Sequence, residues 1–231
     1  MPLRIEDYGL IGDLHTAALV GRDGSIDWLC LPRFDSGSCF AALLGEPRHG
    51  RWMLAPVDAI RRQTWRYRES TLVLEREVET EHGTCRIVDF MPRRSGDAAH
   101  VVRIVEGLSG QVRLRSELIP RFDYGEAIPW FEQTADGMSA AAGPDAVLLR
   151  MPVAAVEQDE GMVAELTVAA GETVPLVMSW YPSHLPPPPP IDAADALDVT
   201  ERLWREWSSR LTYAGEWRDV VRLVMGYLRK I

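Results

Sequence analysis

Lysine is almost missing from this chain: Lys230 is the only one, and arginine supplies nearly all of the positive charge. Such a bias reads as a genomic preference rather than as a functional signal. Basic residues are also in the minority, 25 Lys and Arg against 34 Asp and Glu, which leaves a net charge of −9. An acidic surface repels a phosphate backbone, so nucleic acid is excluded as a partner, whereas a neutral sugar is not. Cysteine is scarce and odd in number, with Cys30, Cys39 and Cys85 at no metal-ligand spacing. That excludes a disulfide framework and a zinc site, and points to buried or idle thiols in a reducing cytoplasm. No apolar run approaches the roughly 20 residues of a membrane span. At the N-terminus, Met1-Pro2-Leu3-Arg4 passes directly into Ile5-Glu6-Asp7-Tyr8, without the apolar segment of a secretory leader. The five histidines are scattered, and Gly9-Leu10-Ile11-Gly12 lacks the lysine and third glycine of a phosphate loop. Neither a metal nor any other cofactor is expected.

What the chain does have is a large apolar fraction, 46% against 26% charged, in 231 residues. Folding at that size buries roughly 70–75% of the extended surface, so a core forms without staples. From Tyr8 to about Tyr181 the pattern is one of short strands divided by glycine turns. Thr16–Val20 and Ser25–Leu31 flank Arg22-Asp23-Gly24, a strong hairpin signal. Thr71–Thr80 and Thr84–Phe90 flank Glu81-His82-Gly83, and Val101–Glu106 and Val112–Ile119 flank Gly107–Gly110, giving a second and a third hairpin. Val147–Met151, Met162–Val168 and Val174–Trp180 complete the series. Strands this frequent, with no helical period between them, predict a mainly β fold, a large antiparallel sandwich. Alternation places Leu72, Leu74, Arg76 and Val78 on one face of their strand and Glu75, Glu77 and Glu79 on a solvated one.

The character then changes. The sandwich domain is expected over 1–185, and the five prolines Pro186–Pro190 make 186–191 a stiff linker. In 192–231, Asp192 is placed to cap a helix on which Leu197, Thr200, Trp204, Trp207 and Leu211 recur every three or four residues. A second helical pattern runs from Glu216 through Trp217, Val220, Val221, Val224, Tyr227 and Leu228, and the sequence stops inside it at Ile231. Apolar helix faces need a cover. The expectation is that these helices open an absent helical domain, and that without it the chain self-associates through 196–228.

Four stretches carry a family resemblance. Ile5-Glu6-Asp7-Tyr8-Gly9-Leu10-Ile11-Gly12-Asp13 opens the chain. Thr16–Val20 leads into Asp23-Gly24-Ser25-Ile26-Asp27-Trp28-Leu29-Cys30-Leu31-Pro32-Arg33-Phe34-Asp35-Ser36. Asp89-Phe90-Met91-Pro92 and Pro120-Arg121-Phe122-Asp123-Tyr124-Gly125 follow. Together they resemble the N-terminal domain of bacterial glucoamylase- and trehalase-like enzymes of glycoside hydrolase family 15. The resemblance implies a β-sandwich, a linker with helices, and then an (α/α) barrel whose glutamates invert the anomeric carbon of trehalose or of an α-glucoside. None of those glutamates lies in this sequence, so this chain alone is expected to be inactive.

Two loops remain as candidate substrate contacts. Arg33, Phe34 and Asp35 follow a strand and a proline, and Arg121, Asp123 and Tyr124 repeat the pattern around Phe122. An aromatic face packs against the C–H surface of a sugar while charged groups take its hydroxyls. The competing reading is that these side chains only hold their turns. At the level of the whole chain, the alternatives are a stand-alone carbohydrate-binding or assembly module, and a similar sandwich from a disaccharide phosphorylase.

Overall fold

The computed structural model describes residues 3–94, 96–159, 161–210, Thr212 and Gly215. Its first strands are β1 (Tyr8–Gly12), β2 (Ala17–Gly21), β3 (Ser25–Cys30), β4 (Ser38–Phe40) and β5 (Arg51–Pro56). Next come β6 (Arg62–Tyr67), β7 (Leu74–Glu79), β8 (Gly83–Phe90), β9 (Ala99–Ile119) and β10 (Trp130–Thr134). The last are β11 (Gly137–Ala142), β12 (Asp145–Arg150), β13 (Val156–Gln158), β14 (Gly161–Ala169) and β15 (Thr173–Pro182), followed by helix α1 (Ala193–Ser209). All pairings are antiparallel and link the 15 strands into one sheet.

The sheet turns on itself within β9. The second half of β9 pairs with β5 and β14, and its first half with β8 and β15. Two layers result, and their inner faces share one core. Ile26, Trp52, Leu54, Leu114 and Leu166 come from one layer, and Leu74, Ile87, Val105, Leu149 and Met178 from the other. Each such side chain contributes roughly 1.5–3 kcal/mol on burial. The sandwich expectation is met.

The third hairpin is not. Gly107–Gly110 lies inside the continuous 21-residue β9. Both edges of β9 are taken by other strands, so its halves cannot fold back on each other. The glycines instead permit close passage and a bend, Gly110 at φ 57° and Gly107 with its Cα side closed off by the Ala169 backbone.

Two further expectations change. Glu75 is not solvated: it is buried, and accepts from Arg66 Nε at 2.6 Å and Arg68 Nε at 3.0 Å. Arg68 also donates to Glu201 of α1 at 2.7 Å. Helix α1 is therefore not left uncovered. Asp192 caps it by accepting from the backbone N–H groups of Ala194 (2.9 Å) and Asp195 (3.0 Å). Its Ala193 and Leu197 pack on Val73, Val88, Phe90, Val102, Ile104 and Val177, on the outer surface of the second layer. This seat removes the basis for self-association through α1. The second helical pattern, 216–228, lies outside the described residues.

Candidate functional site

Topology gathers three connections at one end of the sandwich: 13–16 between β1 and β2, 31–37 between β3 and β4, and 120–129 between β9 and β10. Asp13 organises the first. Fully buried, it accepts from the N–H groups of His15 and Thr16, both at 2.8 Å, and from Arg94 Nε in a very short contact. Arg94 Nη2 also donates to the Pro32 carbonyl at 2.6 Å, and the Phe34 N–H donates to the His15 carbonyl at 3.1 Å. The first loop thus fixes the second.

In the second loop, Arg33 and Asp35 pair with each other, Nε to Oδ1 at 2.8 Å and Nη2 to Oδ2 at 3.1 Å. The hydrogen bond and charge of Arg33 hold the Asp35 carboxyl below its ordinary range. Both side chains are about two-thirds exposed, at 68% and 70%, so the pair remains open to a polar ligand. Phe34 stands beside it, 55% exposed.

The third loop meets the second. A Cβ on Gly37 would lie 3.6 Å from Asp123 Cα, and the Arg121 N–H donates to the Cys39 carbonyl at 3.0 Å. Reciprocal backbone bonds between Phe122 and Ala127 pinch the segment closed, at 3.1 and 3.0 Å. Between them the backbone takes left-handed dihedrals at two non-glycine residues, Asp123 (φ 51°) and Tyr124 (φ 60°). Leu14, in the first loop, is a third such residue, at φ 74°. Each conformation costs on the order of 1–2 kcal/mol, and Ser70 (φ 59°) and Asp159 (φ 50°) adopt it outside these loops. Tyr124 is 52% exposed, with its ring 6.2 Å from that of Trp28.

The structure thus brings the two Arg-Phe-Asp loops together but separates the fates of their residues. Arg33, Phe34, Asp35, Asp123 and Tyr124 face outward. Arg121 does not: it is buried, and Nη1 donates to the Pro120 carbonyl at 2.8 Å, so it is not part of that exposed surface. Nor does the second phenylalanine, Phe122, which is buried in the core. Sequence reasoning missed Arg94, whose role depends on a contact 81 residues away. It also missed the exposure of Ile128 (55%) and Trp130 (86%), since tryptophans normally read as core.

The carboxylate Asp145 is raised in proton affinity by burial, and it accepts from Trp180 Nε1 at 2.8 Å rather than facing a second carboxylate. The thiols of Cys30, Cys39 and Cys85 are all buried and free, and burial pushes each of them up. Among the described residues no helix is long and apolar enough to cross a membrane.

Comparison with known proteins finds trehalases similar in sequence to this chain. A trehalase of Mycobacterium tuberculosis is 31% identical over 229 residues, covering 88% of this chain but 33% of its own length. A trehalase of Thermoplasma volcanium is 26% identical over 223 residues, covering 94% of this chain and 36% of its own. Trehalase 1 of Sulfolobus acidocaldarius is 34% identical over 139 residues, 59% of this chain and 23% of its own. The chain therefore spans about a third of the length of the first two curated relatives. Residues 1–180 match the family model described as trehalase-like, N-terminal, and the chain belongs to that family of trehalase-like N-terminal domains.

Proposed function

We propose that this chain is the non-catalytic N-terminal domain of an inverting α-glycosidase of the glucoamylase and trehalase type, as in glycoside hydrolase family 15, acting on trehalose or an α-glucoside in the cytoplasm. In this reading 1–185 is the sandwich, 186–191 the linker, and 192–231 leads toward a helical (α/α) barrel that carries the catalytic glutamates. The observation that carries it is the family match over 1–180 in a chain about a third the length of its trehalase relatives. Chemistry supports the division of labour. Inversion needs one carboxylic acid and one carboxylate roughly 6.5–9.5 Å apart, with a water between. Asp145, a carboxyl that burial raises, has a tryptophan for a partner, and Asp35 is paired with Arg33.

The loop end supplies a surface suited to a sugar. Phe34 and Tyr124 offer apolar faces, while the Arg33–Asp35 pair and Asp123 offer hydrogen bonds to hydroxyls. Glucose release from trehalose and maltose is the test. The 231-residue chain is expected to release none, and a polypeptide continuing past Ile231 into the barrel is expected to be active. In that longer polypeptide, Arg33→Ala is expected to lower kcat/KM about tenfold. Unchanged turnover would leave Arg33 a purely structural role, and hydrolysis by the 231-residue chain itself would overturn the reading. The exposed aromatics favour one alternative, a free-standing carbohydrate-binding module, which calorimetric titration of the chain with maltooligosaccharides would reveal.

A further inference from the structure

Arg33 is the exposed cation of the second loop, and its side chain pairs with an equally exposed Asp35. An ion pair in water contributes little, so what aims Arg33 is the backbone on either side of it. Both neighbours are tied from outside the loop. The Pro32 carbonyl accepts from Arg94 Nη2 at 2.6 Å, and the Phe34 N–H donates to the His15 carbonyl at 3.1 Å. The remaining backbone bonds, Leu31 N–H to the Gly37 carbonyl at 3.3 Å and Ser36 N–H to the Arg33 carbonyl at 3.2 Å, close the turn on itself.

The two ties meet at one residue. Asp13 Oδ1 accepts from the N–H groups of His15 and Thr16, both at 2.8 Å, and Oδ2 accepts from Arg94 Nε in a very short contact. Thr16 in turn donates its hydroxyl at 2.5 Å to the carbonyl of Cys30, the residue on which β3 ends. The side chain of Asp13 is fully buried and that of Arg94 nearly so. One carboxylate thus holds the anchor before Arg33, the anchor after it, and the strand end that leads to it. Arg94 suits the task, because a guanidinium meets a carboxylate with Nε and a carbonyl with Nη2 at once. It follows β8 in the second layer, whereas Asp13 follows β1 in the first, so the loop is fixed relative to both.

Resting on the reading of Arg33 as a substrate contact, we propose that Asp13 is a positioning residue for Arg33: through Arg94 and His15 it sets where the guanidinium meets a sugar hydroxyl. Asp13 is fully buried and does not touch the sugar itself. A group that orients a ligand loses much of its effect when displaced by about 1 Å, so removing the Asp13 charge acts as removing Arg33 does.

A double-mutant cycle in the polypeptide continued past Ile231, with trehalose as substrate, tests this. Asp13→Asn keeps an acceptor for the His15 and Thr16 N–H groups and removes the charge that Arg94 meets. It is expected to lower kcat/KM about tenfold, through KM, as Arg33→Ala does, and the double variant is expected to be no worse than Arg33→Ala alone. Arg94→Lys keeps the charge without the fork and is expected to match Asp13→Asn; it carries the cycle if Asp13→Asn does not fold. Losses that multiply to about a hundredfold in the double variant would overturn the proposal. So would an unchanged KM in Asp13→Asn beside a raised one in Arg33→Ala, and in both cases the reading of Arg33 survives. Unchanged kinetics in Arg33→Ala would overturn that reading and the positioning role with it. In the 231-residue chain, where no activity is needed, Asp13→Asn is expected to speed amide exchange at Phe34 at least about tenfold while β9 stays protected. Equal exchange at Phe34 would show that the loop holds itself, and loss of β9 protection in both variants would make the pair a requirement of the fold; either result overturns the positioning role.

Discussion

Removing the carboxylate of Asp89 should cost this fold several kilocalories, because two guanidinium groups are buried beside it. Arg103 is fully buried. Nε donates to Asp89 Oδ1 at 2.8 Å, Nη2 to Asp89 Oδ2 at 3.2 Å, Nη1 to the Trp52 carbonyl at 2.8 Å, and Nη2 also to the Gly24 carbonyl at 2.8 Å. Asp89 and Arg103 belong to the second layer and Trp52 and Gly24 to the first, so this one side chain bolts the layers together. Arg76 lies in the same interior, held by the carbonyl of Leu54 at 2.6 Å rather than by a carboxylate. Burial first, and then the charge of Arg103, push Arg76 down to about 10. Asp89 pairs with Arg103 directly, and Asp89 and then Asp23 oppose the downward push on Arg76.

Breaking a buried ion pair from one side costs about 3–5 kcal/mol, since the orphaned charge stays in a medium that solvates it poorly. For a chain of this size each kilocalorie is worth roughly 2–4 °C, so Asp89→Ala should lower the thermal midpoint by about 6–20 °C. Asp89→Asn separates charge from shape. It keeps an acceptor near Arg103 and loses only the charge, and at least about 2 kcal/mol of the loss should persist. Urea denaturation followed by tryptophan fluorescence measures both variants, with an unchanged slope confirming that the same surface unfolds. An Asn variant within about 0.5 kcal/mol of the parent would refute the electrostatic account, and an Ala variant that close would refute the bolt altogether.

Burial, reinforced by the charges of Arg150 and Arg94, pushes His100 down to about 4, while an unfolded chain protonates the ring near about 6.5. Between those values the unfolded state binds more protons, so stability should fall by on the order of 3 kcal/mol as the pH drops from about 6.5 to about 4. His100→Gln should remove that part of the slope, and parallel pH profiles of the two proteins would disprove the assignment. Burial raises the Glu201 carboxyl, but its bonds from Arg68 and Arg205 prevail and hold it below the ordinary carboxylate range; the same holds for Glu75 under Arg68 and Arg66. Their contribution is therefore present above the ordinary carboxylate pKa and lost as the pH falls through the folded values. Glu201→Gln should speed amide exchange in 193–209 about tenfold relative to β9 at neutral pH, and equal exchange in both elements would show that the apolar seat alone fixes α1.

The sandwich was legible because its signals are local. An Asp-Gly turn needs a left-handed glycine, and Gly24 has φ 97°; a helix needs a cap, and Asp192 provides one. What failed to show depends on partners far along the chain. The glycines at 107–110 look like a turn until β5, β8, β14 and β15 claim both edges of β9, and the alternation of β7 reports that Glu75 leaves the core without revealing that α1 lies above it. The two similar loops are adjacent, as their shared pattern suggested, yet the same residue type meets opposite environments: Arg33 in water, Arg121 in the interior. Arginine is where sequence reading was weakest. Its near-monopoly over lysine reads as a compositional accident, but Arg76, Arg94, Arg103, Arg121 and Arg150 each donate to a backbone carbonyl from a largely buried position. A guanidinium carries five donors on a rigid plane and can satisfy a carboxylate and a carbonyl at once, whereas an ammonium on a flexible stem cannot hold that geometry. A sandwich whose layers and loops are joined through backbone carbonyls uses that fork, so these five arginines belong to its architecture.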